Sequence, residues 1–270
     1  MPDRPRVYKT EGVILRRRNL GEADSIFTVF SPGEGKFDAI AKGVRKARSR
    51  MRGHLEPLTR SSLLLARGRS LDVFTQAETI APYRAVRDDL ERGAVALYCA
   101  ELVDRFTIEH AENPGLYELF LALLDALEEG APAHVARYFE LQILALTGYE
   151  LHLDACAVCG GRIPPGDVLL SSSAGGFVCI GCRAKAGGGR IISVQAVKVL
   201  RYARGTDIGS VASLRIDEEL GRELEGAMAE VVRHFLEREP RTRSYLDQVS
   251  ALAARLPVSR RNSVELSQGS

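Results

Sequence analysis

Four cysteines near the middle of the chain constrain its fold more than any other feature. They form two Cys-x-x-Cys pairs, Cys156 with Cys159 and Cys179 with Cys182, around an insert of 19 residues. Each two-residue gap lets both sulfurs of a pair face one tetrahedral ion, so this spacing is typical of a zinc site. Paired disulfides are disfavoured because the sequence shows no secretory signal, and a thioredoxin-like redox centre needs only one such pair. The cysteines therefore predict one Zn²⁺ ion.

The predicted ion has a structural role. Four thiolates fill the tetrahedron and leave no open position for a catalytic water. Glycine and proline punctuate the segment and its apolar residues are few, so metal binding is expected to supply folding free energy. His152 is an alternative ligand, but four cysteines suffice. The fifth cysteine, Cys99, shares a helical spacing with Val95, Leu102 and Phe106 and is expected to be a small buried hydrophobe.

Length and charge indicate two domains with different partners. A chain of 270 residues with 45% hydrophobic composition can bury about two cores. No apolar run approaches the roughly 20 residues that span a bilayer, and the N-terminal sequence lacks a signal peptide, so we expect a soluble cytoplasmic protein. Residues 1 to 82 carry 16 Lys and Arg against 9 Asp and Glu, whereas residues 83 to 270 carry 21 against 26. This asymmetry predicts a polyanion partner for the N-terminal part.

The first 82 residues have the pattern of five short strands. These are "KTEGVILRR", "DSIFTVFS", "GKFDAIAKG", "RSSLLLARG" and "SLDVFTQAETI", each rich in Val, Ile, Phe or Thr and bounded by turn residues. Five strands in about 80 basic residues predict a small closed barrel of the oligonucleotide-binding (OB) kind. An SH3-like barrel is the nearest alternative.

The connection between the third and fourth strands is the most basic segment of the chain. Its residues 42–52 contain six cations and no acid, and three arginines lie near the end of the first strand. These groups could line a groove that tracks a phosphate backbone, although a solvated flexible loop is the simpler alternative. Phe27, Phe30, Phe37 and Phe74 lie on the strands, where some could stack on bases, but a barrel this small is expected to bury most of them.

After Pro82 the apolar period changes from two to about 3.6 residues. A first and longest helix is predicted over residues 83 to 111, and further helices follow Pro114, precede Gly148, cover residues 193 to 204 and end near Phe235. The predicted organisation is α+β and multidomain: an OB barrel (1–82), an all-α domain in two parts (83–150 and 191–256), an inserted zinc module (151–190) and a disordered tail (257–270).

An enzyme is not supported by the sequence. The nearest phosphate-loop candidate, "GEGKF", lacks the required first glycine and the Ser or Thr after lysine, since Phe30 and Phe37 occupy those positions. No H-E-x-x-H or G-x-S-x-G motif occurs, and the five histidines are scattered singly. We therefore assign no catalytic residue.

The N-terminal sequence resembles that of bacterial RecO recombination mediators. The resemblance rests on Thr10-Glu11-Gly12, Gly21-Glu22-x-Asp24, Gly35-Lys36, Ala41-Lys42-Gly43 and the basic run that follows, and it continues through "YELFLALLDALEEG" and "LDACAVCGG". It implies an OB barrel joined to a helical domain with a four-cysteine zinc module that shapes the domain instead of contacting bases. Only the C-terminal tail falls outside it.

The resemblance also implies a function in DNA repair. Members of this family bind single- and double-stranded DNA, anneal complementary strands, bind the ring-forming protein RecR and the acidic tail of single-strand binding protein, and help to load RecA. The expected DNA contacts are cations of the barrel: Arg16, Arg17, Arg18, Lys36, Lys42, Arg45, Lys46, Arg48, Arg50 and Arg52. Without the resemblance, a basic RNA-binding factor and a zinc-stabilised nuclease remain as alternatives.

Overall fold

A computed structural model of the protein describes residues 6–255. It consists of an N-terminal β-barrel, a helical domain and a small cysteine-containing sheet within that domain, which confirms the predicted α+β architecture. The tail predicted at 257–270 lies outside the described residues.

Five strands form the barrel. They are β1 (Val7–Leu20), β2 (Asp24–Ser31), β3 (Gly35–Ala41), β4 (Arg60–Ala66) and β5 (Asp72–Ala81). Neighbouring strands pair antiparallel, except for β3 and β5, which pair in parallel. The sheet closes in the order β1-β2-β3-β5-β4, because β1 pairs with both β2 and β4. All five predicted strands are confirmed. Strict alternation of buried and partly exposed residues along β3 and β4 shows why they form strands, since one face of each fills the barrel.

The four strand phenylalanines belong to the core, as expected for most of them. Phe27, Phe30, Phe37 and Phe74 are each at most 3% exposed. Phe27 and Phe74 meet edge to face inside the barrel with ring centroids 5.9 Å apart. None of these rings can stack on a base from the outside.

Strand registers bring three connections to one end of the barrel, which we call the basic end. Ser25, just after the β1–β2 turn, pairs with Ala41 at the end of β3. Ala39 pairs with Asp72, the first residue of β5. The β1–β2 turn, the start of the loop after β3 and the β4–β5 connection are therefore neighbours.

The helical domain begins with α1 and α2. Its helices are α1 (Arg84–Asp88), α2 (Leu90–Phe106), α3 (Pro114–Glu128), α4 (Val135–Leu146), α5 (Val194–Arg204), α6 (Ile208–Ala212), α7 (Glu218–Leu236) and α8 (Arg241–Arg255). The prediction of a single helix over 83–111 is wrong, although α2, with 17 residues, is the longest of the helices before the cysteines, as predicted. Asp89 is extended and its side chain accepts hydrogen bonds from the amides of Glu91 and Arg92, so it ends α1 and caps α2. With 19 residues, α7 is the longest of the helices described.

The barrel and the helical domain share one hydrophobic core. Val13, Leu15 and Phe30 of the barrel pack in the same cluster as residues of α2 and α3, including Tyr117. Cys99 on α2 is completely buried in this cluster, which confirms its prediction as a buried hydrophobe. The predicted boundary at residue 82 thus separates two units that are packed against each other.

The cysteine-containing segment carries a second core. Strands β6 (Val168–Ser171), β7 (Gly176–Val178) and β8 (Arg190–Ile192) form a sheet in the order β7-β6-β8. Phe177 and Leu170 from this sheet pack with residues of α4, α5 and α7 in a separate cluster. Because β8 pairs with β6, the module extends two residues beyond its predicted end at 190.

Candidate nucleic-acid interface and metal centre

The basic loop, residues 42–52, begins at the basic end of the barrel. All six of its cations have exposed side chains: Lys42, Arg45, Lys46, Arg48, Arg50 and Arg52. Among ion pairs within residues 6–255, none involves any of the six. The loop therefore presents uncompensated positive charge to solvent, as a phosphate-binding surface requires.

Both ends of the basic loop are fixed to the barrel. Val44 and Leu55 are completely buried in the barrel core. The amide of Gly43 donates to Asp24 Oδ1 at 2.7 Å. Arg45 donates from its backbone amide to the Ala23 carbonyl at 2.9 Å and from its guanidinium to the Gly21 carbonyl at 2.8 Å. These contacts tie the loop to the β1–β2 turn, so a freely flexible loop does not describe its first residues.

The three arginines of β1 have different partners, and alternation along the strand separates Arg17 from Arg16 and Arg18. Arg16 pairs with Asp104 of α2 at 2.8 Å and Arg18 pairs with Asp38 of β3 at 2.7 Å, with 49% and 53% of their side chains exposed. Arg17 lies near the Phe27 ring, 5.8 Å from its centroid, and donates to Ser25 Oγ. A phosphate would have to compete with a carboxylate for Arg16 and Arg18.

Lys36 is held within the protein. Its ammonium donates to the backbone carbonyls of Asp104 and Thr107 near the C-terminus of α2 and lies 3.2 Å from Asp104 Oδ1. Only 12% of its side chain is exposed. A cation in this position satisfies carbonyls that the end of a helix leaves without partners. Lys36 joins the barrel to the helical domain and has little surface left for DNA.

Two further cations at the basic end were missed from the sequence. Arg67 and Arg69 lie on the β4–β5 connection, and the Arg67 guanidinium stacks over the Tyr8 ring at 4.3 Å. The same guanidinium pairs with Glu34 at 3.9 Å and with Asp72 at 3.8 Å, so its charge is compensated. Arg69 is exposed. Strand registers place them near the basic loop, although they follow its last residue by fifteen positions or more. Their sequence signal, two arginines flanking a turn glycine, is too common to be diagnostic.

A cleft beside β3 limits where a phosphate backbone can run. It has a volume of about 670 Å³ and its lining includes two arginines, Arg18 and Arg67, and five carboxylates: Glu34, Asp38, Asp72, Glu109 and Glu112. This excess of negative charge repels phosphate. A bound strand is therefore expected to cross the basic loop and the barrel end, not the cleft.

The four cysteines meet at one point, as predicted. Their sulfurs all lie within 4.8 Å of one another, and Cys159 and Cys179 are 3.9 Å apart. A tetrahedral zinc ion with bonds of about 2.3 Å places its sulfurs about 3.8 Å apart, so the geometry fits such an ion. His152 is not part of this group of ligand atoms.

Hydrogen bonding favours a thiolate at Cys156. Burial raises the pKa of this thiol, but donation from the backbone amides of Cys179, Cys159 and Val158 outweighs that effect and lowers the pKa to about 6. Hydrogen bonds with Cys159 and Cys179 raise the pKa of Cys182 to about 12. Neighbouring thiolates repel each other, so the full set forms together when a cation offsets the repulsion.

Two comparisons with known proteins bear on this combination of a basic OB barrel and a four-cysteine module. The family model described as "Recombination protein O N terminal" matches residues 6–83, and "Recombination protein O C terminal" matches residues 87–244. The chain belongs to the RecO family. None of the helices described in this RecO protein combines the length and the apolar character that a membrane span needs.

Relatives of the chain agree with this assignment over most of its length. It is 37% identical over 247 residues to the DNA repair protein RecO of Dehalococcoides mccartyi strain CBDB1, with 91% of this chain and 97% of that protein covered. It is 39% identical over 250 residues to the DNA repair protein RecO of Roseiflexus sp. strain RS-1, covering 91% of this chain and 87% of that protein. Similarity to RecO proteins thus includes the barrel, the helices and the cysteine module.

Proposed function

We propose that the protein is a DNA repair and homologous recombination mediator. In this role it binds single- and double-stranded DNA, anneals complementary strands and, with RecR, assists the loading of RecA onto DNA coated by single-strand binding protein. The observation that carries the proposal is the exposed basic loop on the OB barrel of a RecO family member. Supporting it, none of the ion pairs of residues 6–255 neutralises a cation of that loop.

Phosphate contacts account for binding without sequence preference. The proposed contacts are Arg16, Arg17, Arg18 and the six cations of the basic loop, with Arg69 added from the structure. Lys36 is a weaker candidate because its ammonium is already engaged by α2. Each cation that meets a phosphate releases condensed counterions, so affinity should fall steeply with salt concentration.

Annealing needs no covalent catalysis. A cationic surface lowers the mutual repulsion of two phosphate backbones and raises the local concentration of both strands. The proposal accordingly gives no residue a catalytic role and places the protein in the cytoplasm, associated with the nucleoid.

One Zn²⁺ ion held by Cys156, Cys159, Cys179 and Cys182 is proposed as the metal. Four thiolates leave no coordination position for a substrate, so the ion would stabilise the module and not take part in a reaction. Supporting this, the module's sheet packs into the core formed by α4, α5 and α7. The partners RecR and the tail of single-strand binding protein are proposed from family membership, without an assigned surface.

Fluorescence annealing of complementary oligonucleotides tests the proposal. Both strands are first coated with the cognate single-strand binding protein, and no ATP is added. We expect the protein to accelerate annealing, and a variant of the basic loop to do so less. Absence of acceleration by a protein that binds DNA and contains its metal would contradict the mediator function.

The same preparation discriminates the alternatives. Tighter binding to RNA than to DNA of equal length at matched salt would favour an RNA-binding factor. Cleavage of DNA on addition of Mg²⁺ would indicate a nuclease.

A further inference from the structure

A second acid-free stretch lies in the otherwise acidic part of the chain. From Val168 to Thr206 the sequence contains no Asp or Glu but six cations: Arg183, Lys185, Arg190, Lys198, Arg201 and Arg204. Three of them are used internally, since Arg190 pairs with Glu230, Arg204 pairs with Asp154 and Arg201 donates to the Leu153 carbonyl. Arg183, Lys185 and Lys198 have exposed side chains and form no ion pair within residues 6–255, and the first two lie in the cysteine module.

Arg183 and Lys185 lie on the same short helix as an unusually exposed apolar residue. Ile180, between Cys179 and Cys182, is 80% exposed, the highest value among the large hydrophobic residues described. It begins a 3-10 helix, Ile180–Lys185, that has no buried residue. Side chains three positions apart coincide on a 3-10 helix, so Ile180 and Arg183 share one face. Val158 of the other Cys-x-x-Cys turn is also exposed, at 37%. We call Ile180, Arg183 and Lys185 the knuckle patch.

We propose that the knuckle patch is a second nucleic-acid-binding surface, which takes a single strand with its phosphates on Arg183 and Lys185 and an unstacked base on Ile180. This inference rests on the proposed function, because it assumes that the ligand is the DNA that the barrel also binds. It differs from the expectation that the cysteine module only shapes the helical domain.

Charge and size favour a nucleic-acid strand as the occupant. Cations without counter-charges match a phosphate backbone, and an apolar side chain beside them matches the face of a base, a combination that single strands offer at every nucleotide. A stable protein partner usually covers about 800 Å² on each side and needs a larger apolar centre than one isoleucine and one valine. An acidic protein is therefore the less suitable ligand.

The two surfaces are connected to different clusters of the helical core. The barrel packs with α2 and α3, whereas the cysteine module packs with α4, α5 and α7. One molecule could then hold one strand at the basic loop and another at the knuckle patch. Two strands on one protein meet at a higher effective concentration than free strands do, which would promote annealing.

Lysine labelling of the unmodified protein tests both surfaces in one experiment. The chain has six lysines, of which Lys42 and Lys46 lie in the basic loop and Lys185 lies in the knuckle patch. The protein is acetylated with and without a polythymidine strand of about 30 nucleotides, which exceeds the site of one OB fold. We expect all three lysines to be protected. Lys9, exposed on β1, serves as the internal control.

Each pattern of protection has a distinct meaning. Protection of Lys42 and Lys46 with full reactivity of Lys185 would overturn the knuckle patch and leave the proposed function intact. Protection of Lys185 alone would support the patch and contradict the basic loop. No protection at any of the three would overturn both, because the protein would then bind no strand at these surfaces.

Variants give an independent measurement. We expect Arg183→Gln with Lys185→Gln to lower the slope of log affinity against log salt by about 1.4, since each phosphate contact on a single strand contributes about 0.7. Ile180→Ser should weaken binding with no change in that slope. The matched control is Arg215→Gln with Arg222→Gln, two exposed arginines beside the acids of α7. Equal slopes for the knuckle variant, the control and the unmodified protein, at equal zinc content, would overturn the inference.

Discussion

Lys36 shows how the fold can use a cation that the sequence assigns to DNA. It follows a turn glycine in a basic domain, and nothing nearby in the sequence indicates another role. Its partners on α2, Asp104 and Thr107, are 68 and 71 positions away. Gly35 is required beside it because a side chain there would collide with the Ala111 backbone, with the added Cβ only 2.4 Å from that carbonyl oxygen. Residue-level contacts of this kind join the two domains.

Replacing Lys36 by methionine should therefore affect stability more than DNA binding. The change leaves two backbone carbonyls without their donor and Asp104 with Arg16 as its remaining cation, which we expect to lower the free energy of unfolding by about 1 to 3 kcal/mol in urea titration. Lys9→Met, which removes an exposed lysine of β1, is the control and should change stability little. A reduced salt dependence of DNA binding with unchanged stability would instead make Lys36 a phosphate contact.

The basic loop is an element whose ends are fixed and whose cations are exposed. Its anchors, Val44 and Leu55, are buried in the barrel, so the charged side chains between them can be changed without altering the core. This arrangement separates binding from folding within one segment.

Neutralising Arg45, Lys46, Arg48 and Arg50 together to glutamine should weaken DNA binding at low salt. We expect the slope of log affinity against log salt to fall by about 3, because four cations contribute about 0.7 to 0.9 each if all of them meet phosphates. Fluorescence anisotropy at several salt concentrations measures the slope. An unchanged slope in a folded variant would rule out the loop as the DNA contact.

Helix α8 is attached at its start by a single carboxylate. Glu101 of α2 accepts hydrogen bonds from the backbone amides of Arg241 and Thr242 at 2.9 and 2.8 Å and from the Thr242 hydroxyl at 2.6 Å. Burial raises the pKa of Glu101, but these bonds and the charge of Arg105 outweigh it and hold the pKa below its ordinary value of 4.5. Leu246 and Val249 of α8 complete the attachment by packing into the shared core.

Acidification should loosen α8. The pKa of Glu101 is lower in the folded state than in the unfolded state. The Glu101 carboxylate therefore stabilises the fold at pH values above its ordinary pKa, and this stabilisation is lost as the pH falls through the lowered pKa. Hydrogen exchange of α8 amides should show this loss as the pH falls below about 4.5. Glu101→Gln should reduce protection already at neutral pH, whereas Glu78→Gln, on an exposed strand position, should not. Equal protection in Glu101→Gln and the unmodified protein would contradict the attachment.

At the scale of the whole molecule, the protein has a barrel core and two clusters in the helical domain. The cysteine module contributes only to the cluster with α4, α5 and α7. The barrel interior is a separate cluster that includes Ile14 and Phe37. Metal binding should therefore stabilise one part of the molecule directly and the barrel only through the helices between them.

Removing two ligands tests this division. Cys156→Ser with Cys159→Ser should abolish zinc binding, measured by atomic absorption, and lower the stability of the module, since metal affinity is folding free energy in such sites. Amides of the barrel should remain protected from hydrogen exchange, and DNA should still bind to the basic loop. One zinc ion per chain in this variant would show that the ligand set is wrong.

The sequence predicted elements whose signals are local and missed those whose partners are distant. The barrel strands alternate in burial within a few residues, and the cysteine spacing defines a site by itself. The helix predicted over 83–111 runs through Asp89, although a cap before Glu91 is a local signal of a helix start. Helix α8 was missed because it contains only three large aliphatic residues, Leu246, Val249 and Leu252, and its first turn is fixed by Glu101, 141 positions from Thr242.

That long separation affects how the protein is made. The ribosome completes α2 early, yet α8, which covers part of it, is translated after all the other helices described. Until then the nascent chain exposes apolar surface of α2 that only its last helix can cover, and such surface promotes association with other unfinished chains. Translation that stops before Arg241 would yield a protein with its barrel and cysteines in place but an open face on α2, which makes it a substrate for chaperones and proteases.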